Sequence, residues 1–309
     1  MTTAPQPCSR IWDDLDVAAW GTAAQARLVV ALEQNGSWGR TAATESHLDP
    51  QLGGRLDGLV AGMGGRLLLI RRPGRHPAVS PSAPAKPSRQ CYVARTGPDG
   101  WLVSARLADP SVLLALTATH LENAAETARL LGGRVDSRPV LLVCTNGRRD
   151  TCCAVRGRAV AGATADAMAA AASSNRPRAV WETSHTGGHR FAPTAVLLPW
   201  GRMLARLDAE LGVAVLTEAA RGELPASILG PRHDRGPMHL DPVEQAAEAW
   251  ARHAETRTRL DDPVADAAAR VQVQVHVGPD LPESCGKTAV TTTSYQIRWR
   301  EPAPTGERA

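Results

Sequence analysis

The chain has 309 residues, enough to bury a substantial core in one or two domains. Hydrophobic residues make up 43%, and no apolar run approaches the roughly 18 residues of a membrane span, so a soluble protein with no membrane partner is expected. The net charge of +4 is mild and rests on arginine, with Lys86 and Lys287 the only lysines among 35 basic residues; without aromatic interleaving or a dense basic stripe, this argues against nucleic acid as a partner.

Residues 1–20, which include Cys8, read as an irregular lead-in with no apolar signal region, and a cytoplasmic protein is expected. A buried strand is predicted within 21–35 (ARLVVALE), a helix over 48–63 and a strand over 66–72 (RLLLIRR). The Gly62, Gly64 and Gly65 cluster follows a helix and precedes a strand, the reverse of a dinucleotide fingerprint, and reads as a helix end and turn. Residues 73–89 are rich in Pro and Ser and form a loop. QCYVARTGPDGWLVSARL gives two strands about a Gly-Pro-Asp-Gly turn, and 110–132 gives a helix with Leu113, Leu114, Leu116, Leu121 and Leu130 for a core.

The second half repeats the plan. VLLVC is a strand, 154–173 an Ala-rich helix, AVWETS a strand, AVLLPWGRMLARLD a tight strand pair, and 207–220 a helix. Strand, helix, strand, hairpin and helix is the thioredoxin-like order. The expected class is therefore α/β, with a thioredoxin-like unit at 136–225 and a possible second unit at 1–135. Residues 226–309 form an extension. Its first part, within GELPASILGPRHDRGPMHLDP, is expected to cross the surface, with His233 and His239 in a solvated loop. A helix capped by Asp241 follows, then a hairpin with Val271, Val273, Val275 and Val277 on one face and a disordered tail.

The chemistry is concentrated between Pro139 and Ala192. Cys144 and Cys153 have eight residues between them, His185 and His189 have three, and 31 residues separate the pairs. Cys144 ends a buried strand, and Cys153 stands at the mouth of the next helix, where the helix dipole favours thiolate. Thr186-Gly187-Gly188 between the histidines disfavours a helix, since glycine costs about 1 kcal/mol there, so this is not the helical H-E-x-x-H of zinc proteases. Two thiolates and two imidazoles suit either zinc or a 2Fe–2S cluster. Spacing alone does not choose between Cys152 and Cys153. Cys8, Cys91 and Cys285 have no partner spacing and read as structural. Arg148, Arg149, Asp150 and Arg190 flank the set, either tuning its charge or solvating the loop.

The segments VCTNGRRDTCC and SHTGGHRFAPTAVLLPWG, with GTAAQARLVVALEQNGSWG near the N-terminus, resemble the sucrase/ferredoxin-like family over most of residues 8–250. The resemblance implies a thioredoxin-like fold and a 2Fe–2S cluster, with Cys144 and Cys153 on one iron and His185 and His189 on the other. It favours Cys153 over Cys152 as the second thiolate. The function so implied is electron transfer with a redox partner protein, reductase or acceptor, and not substrate conversion. Neutral imidazoles raise the potential, as in Rieske centres at about −150 to +300 mV, and leave a ring nitrogen for a proton. The alternative is a structural Cys2His2 zinc site in a binding or scaffold protein. A thiol-redox enzyme using adjacent Cys152 and Cys153 ranks last, because no C-x-x-C is present and a bond between adjacent cysteines is strained.

Overall fold

Ten strands, most of them apolar runs, assemble into one sheet. The computed structural model describes residues 8–74, 88–149, 151–171, 179–262, 264, 271–282 and 289–299. In chain order its elements are α1 (Cys8–Asp14), β1 (Leu28–Glu33), α2 (Ala42–Glu45), α3 (Pro50–Gly62), β2 (Gly65–Arg71), β3 (Arg89–Arg95), β4 (Trp101–Leu107), α4 (Ala118–Glu122), α5 (Ala124–Leu131), β5 (Arg134–Val135) and β6 (Val140–Cys144). There follow α6 (Arg158–Ala171), β7 (Val180–Thr183), β8 (Ala195–Leu198), β9 (Arg202–Leu204), α7 (Ala209–Ala219), β10 (Asp234–Pro237), α8 (Pro242–Ala254), β11 (Val271–Pro282) and β12 (Ala289–Trp299). The sheet order is β10-β9-β8-β6-β7-β2-β1-β3-β4-β5, while β11 and β12 form a separate two-stranded sheet.

The order contains a repeat. In the first half β1 pairs with β2 in parallel and with β3 antiparallel, and β3 pairs with β4. In the second half β6 pairs with β7 in parallel and with β8 antiparallel, and β8 pairs with β9. The two sets, β2-β1-β3-β4 and β7-β6-β8-β9, join through the antiparallel pair β2–β7. The molecule is thus a mixed α/β protein whose halves share one sheet. The central strands β1 and β6 are buried on both faces, which explains why LVVAL and VLLVC read as continuous apolar runs without alternation. Layers of buried side chains flank them. Leu56, Val60 and Leu113 cover one side of the first half, and Ala161, Val215 and Leu216 cover the second.

A buried ion pair fastens the join. Arg71 on β2 meets Glu182 on β7 at 2.7 Å, and its guanidinium also lies 4.2 Å from the Trp38 ring centroid. Glu182 accepts a hydrogen bond from Thr145, directly after β6, at 3.0 Å.

Four expectations are corrected. Residues 8–14 are helical. The segment 110–132 is three pieces, because Asp109, Thr117 and Asn123 each start a new turn by accepting backbone N–H bonds through their side chains. The stretch 221–241 does not run over the surface. Leu224, Ile228 and Met238 anchor it in the core, and Asp234 is fully buried on β10 against Arg202 of β9. The hairpin β11–β12 is as expected, but Val277 is 81% exposed, beside a register shift between Val277 and Asp280. The loop at 73–89 lies mostly outside the described residues, as do Asp150, Cys285 and the tail at 301–309.

Candidate metal centre

Parallel pairing sets the site. Because β6 and β7 run the same way, with Cys144 opposite Thr183, their C-terminal ends stand side by side. Cys144 closes β6, and two residues after β7 the chain reaches His185. The segment then turns through Gly187 and Gly188, both at positive φ (+90° and +71°), which glycine adopts without Cβ strain. A short 3-10 turn, His189–Phe191, brings the chain back to β8. Thr186 and Thr194 hydroxyls meet at 3.2 Å and tie the two ends of the loop.

Cys153 opens a π-helical turn, Cys153–Gly157, that leads into α6. Gly157 lets this turn pack directly on the strand end, since a Cβ there would collide with the Cys144 carbonyl oxygen. The Cys144 sulfur accepts hydrogen bonds from Cys153, from His185 and from the Thr186 backbone N–H. The Cys153 bond is the main reason that the Cys144 thiol is held well below its ordinary range, against the opposing effect of burial, and His185 adds a hydrogen bond and its charge. Thiolate, the ligating form, is favoured at Cys144.

The structure therefore brings Cys144, Cys153 and His185 into contact, with the His189 ring centroid 6.2 Å from that of His185. Both cysteines are 1% exposed and His189 is buried, while His185 is half-buried and forms the solvent side of the group. Among the described residues, no group of three or more His, Cys, Asp or Glu closes around one point as a single metal ion requires. Cys152, also buried, packs beside Cys153 and Ala192. Cys91 is far from this chemistry in kind, a core thiol pushed up to about 12 by burial.

As to fit with a metal group, His185 Nδ1 is buried with no hydrogen-bond partner among the described residues. An unpartnered imidazole nitrogen beside a thiolate-favouring cysteine has the chemistry of a metal donor set. The surroundings are cationic. Arg66 donates to the His185 carbonyl at 3.3 Å, Arg190 lies 4.9 Å from the Trp12 ring centroid, and Arg235 sits fully buried under the glycine turn. The flanking turn after β6 docks on the first half, with Asn146 donating to Gly39 O at 3.1 Å and Arg149 to Arg40 O at 3.4 Å.

Two contributors escaped sequence reasoning. Arg235 lies in a Pro- and Gly-rich stretch where an arginine has no periodic signal of burial; attention there fell on His233 and His239. Both histidines are half-buried, and burial lowers the pKa of each; His233 Nδ1 pairs with Ala205 O at 3.1 Å. Trp12 on α1 packs edge-on against Phe191 at 5.4 Å, and the neighbouring Asp13 accepts from Arg156 and Arg206 at 2.9 and 2.7 Å. These contacts strap the N-terminal helix over the histidine turn.

Fold and site together define a mixed α/β protein with a paired cysteine–histidine donor set at the end of a parallel strand pair. The model of the sucrase/ferredoxin-like family matches residues 20–227, and the chain belongs to that family. No curated protein and no solved structure matches the chain. Among the described residues, no helix is long and apolar enough to cross a membrane.

Proposed function

We propose that this protein is a 2Fe–2S electron carrier, with Cys144 and Cys153 on one iron and His185 and His189 on the other. The observation that carries the reading is the donor arrangement. Two thiols and two imidazoles from distant stretches converge at one strand end, with Cys144 in contact with Cys153 and His185 and the His189 ring centroid 6.2 Å from that of His185. Two thiolates and two imidazoles match the mixed ligation of a 2Fe–2S centre, which the family resemblance favours over a single zinc ion. The repeated order of strands supports reading 1–135 and 136–225 as two thioredoxin-like units, with 226–309 as the extension.

When bound, the cluster supplies one-electron redox chemistry. The chain supplies the rest. Burial of Cys144, Cys153 and His189 excludes water from the thiolate side. His185, half-exposed, offers the shortest way out to a partner and keeps one ring nitrogen for a proton. Electron uptake is then coupled to proton uptake, and a potential constant between about pH 6 and 10 would count against that coupling.

The test is a visible spectrum of anaerobically purified protein, with iron, sulfide and zinc assayed on the same sample. Charge-transfer bands at roughly 300–600 nm with equal iron and sulfide are expected, and His185→Cys and His189→Cys are expected to alter the spectrum while keeping iron. A colourless protein with one zinc overturns the reading in favour of a structural site.

A further inference from the structure

Arg235 is 1% exposed, and no carboxylate pairs with it among the described residues. This sets it apart from the other fully buried arginine of the same sheet edge, Arg202, which is matched by Asp234 and Glu248. A buried cation without an anion is costly unless its N–H groups and its charge are satisfied elsewhere. The N–H groups are satisfied by neutral oxygens. Nε donates to Thr22 Oγ1 at 3.0 Å, one Nη donates to the Gly187 carbonyl at 3.0 Å, and the other to the Thr22 carbonyl.

The guanidinium lies against the turn that joins the two histidines. A Cβ on Gly188 would collide with it, so Gly188 is the residue that lets turn and guanidinium touch. Burial, with the neighbouring charges of Arg190 and Arg66, lowers Arg235 to about 9, against the opposing effect of Cys144 and Cys153. Arg235 lies beyond residues 20–227, so the family match does not cover it.

We propose that Arg235 is a positioning residue of the centre, which clamps the Gly187-Gly188 turn between the two imidazoles and places a buried positive charge against that turn. Resting on the 2Fe–2S reading, this has a redox consequence. An added electron makes the centre more negative, and a buried cation against its histidine turn favours that state. Arg235 therefore raises the reduction potential.

The experiment uses the full chain with Arg235→Met and Arg235→Lys. Amide hydrogen exchange over residues 186–191 is measured on metal-free protein, and the midpoint potential on protein loaded with iron and sulfide. Arg235→Met is expected to speed exchange across the turn and to lower the potential. Arg235→Lys, which keeps the charge but not the fork, is expected to speed exchange while holding the potential near that of the unaltered protein. Unchanged exchange in both variants overturns the clamp. Equal potentials in Met and Lys variants overturn the charge role. If Arg235→Met does not fold, Arg235→Lys decides the clamp by exchange, and a potential in Arg235→Lys well below the unaltered protein overturns the charge role. If the unaltered protein binds no iron and sulfide, the 2Fe–2S reading falls by itself, and the exchange measurement still decides the clamp.

Discussion

Replacing Gly157 by alanine puts a methyl group into the carbonyl oxygen of Cys144. The new Cβ would also stand 3.3 Å from the Cys144 carbonyl carbon and 3.6 Å from Thr145 Cγ2. The obstacle is backbone at the end of a central strand, so no rotamer change relieves it. Overpacking of this kind costs about 1–3 kcal/mol, against a gain of up to about 1 kcal/mol from replacing a helical glycine. A collision with backbone puts the cost at the upper end of that range, so the clash wins and Gly157→Ala is expected to lose about 2 kcal/mol net. Gly162 is the internal control. It lies five residues on, inside α6, and a Cβ there meets nothing within 4 Å. Gly162→Ala is expected to gain up to about 1 kcal/mol. Urea unfolding at fixed pH reads both, and thermal melts should separate the variants by several degrees, at about 2–4 °C per kcal/mol. Because the clash displaces the strand end, Gly157→Ala should also retain less iron after loading than Gly162→Ala. If Gly157→Ala proves as stable as the unaltered protein, the close packing of turn and strand that sets the Cys144–Cys153 approach is refuted.

Three further outcomes are expected. Glu182→Ala strands the buried Arg71 between the two halves of the sheet, and should cost about 3–5 kcal/mol in urea unfolding; a loss below 1 kcal/mol would show that Trp38 and water compensate. Cys91 should resist alkylation in the native protein and react only after denaturation, since it is fully buried with its thiol pushed up to about 12; mass mapping after a pulse of iodoacetamide checks this. Asp136 is burdened by burial, but the hydrogen bonds and charge of Arg138, with Arg134, outweigh this and depress its pKa. A depressed carboxyl stabilises the fold above its unfolded pKa of about 4 and loses that contribution as pH falls through the lowered value. The stability gap between the unaltered protein and Arg138→Met should thus hold from pH 7 to about 5 and close below about 4, and a gap that widens in acid would reverse the sign of the argument.

Much of the fold was legible because it is local. LVVAL, LLLI and VLLVC are strands wherever they go, and the tight pairs β3–β4 and β8–β9 follow from GPDG and PWG turns. The candidate cysteines and histidines stood out for the same reason, as two short-range pairs with turn residues between. The break of 110–132 into three pieces was legible only in part, since Asp109, Thr117 and Asn123 compete with a run of leucines that suits a continuous helix. The 221–241 stretch misled because Pro and Gly mark irregular backbone, which is usually exposed; here its backbone pairs with β9 and its apolar anchors reach the core.

The sequence by itself determined most of the central strands, the internal repeat and the spacing of the cysteines and histidines, because periodicity, turn chemistry and residue order are properties of a few neighbouring residues. Tertiary structure decided that both halves share one sheet through β2 and β7, that Cys144 and His185 emerge at the same strand edge, and that Arg235 packs against the histidine turn. Those outcomes depend on contacts between residues far apart in the chain, such as Arg235 with Thr22, 213 positions away. A buried charge takes its meaning from what surrounds it in space, and no local pattern records that.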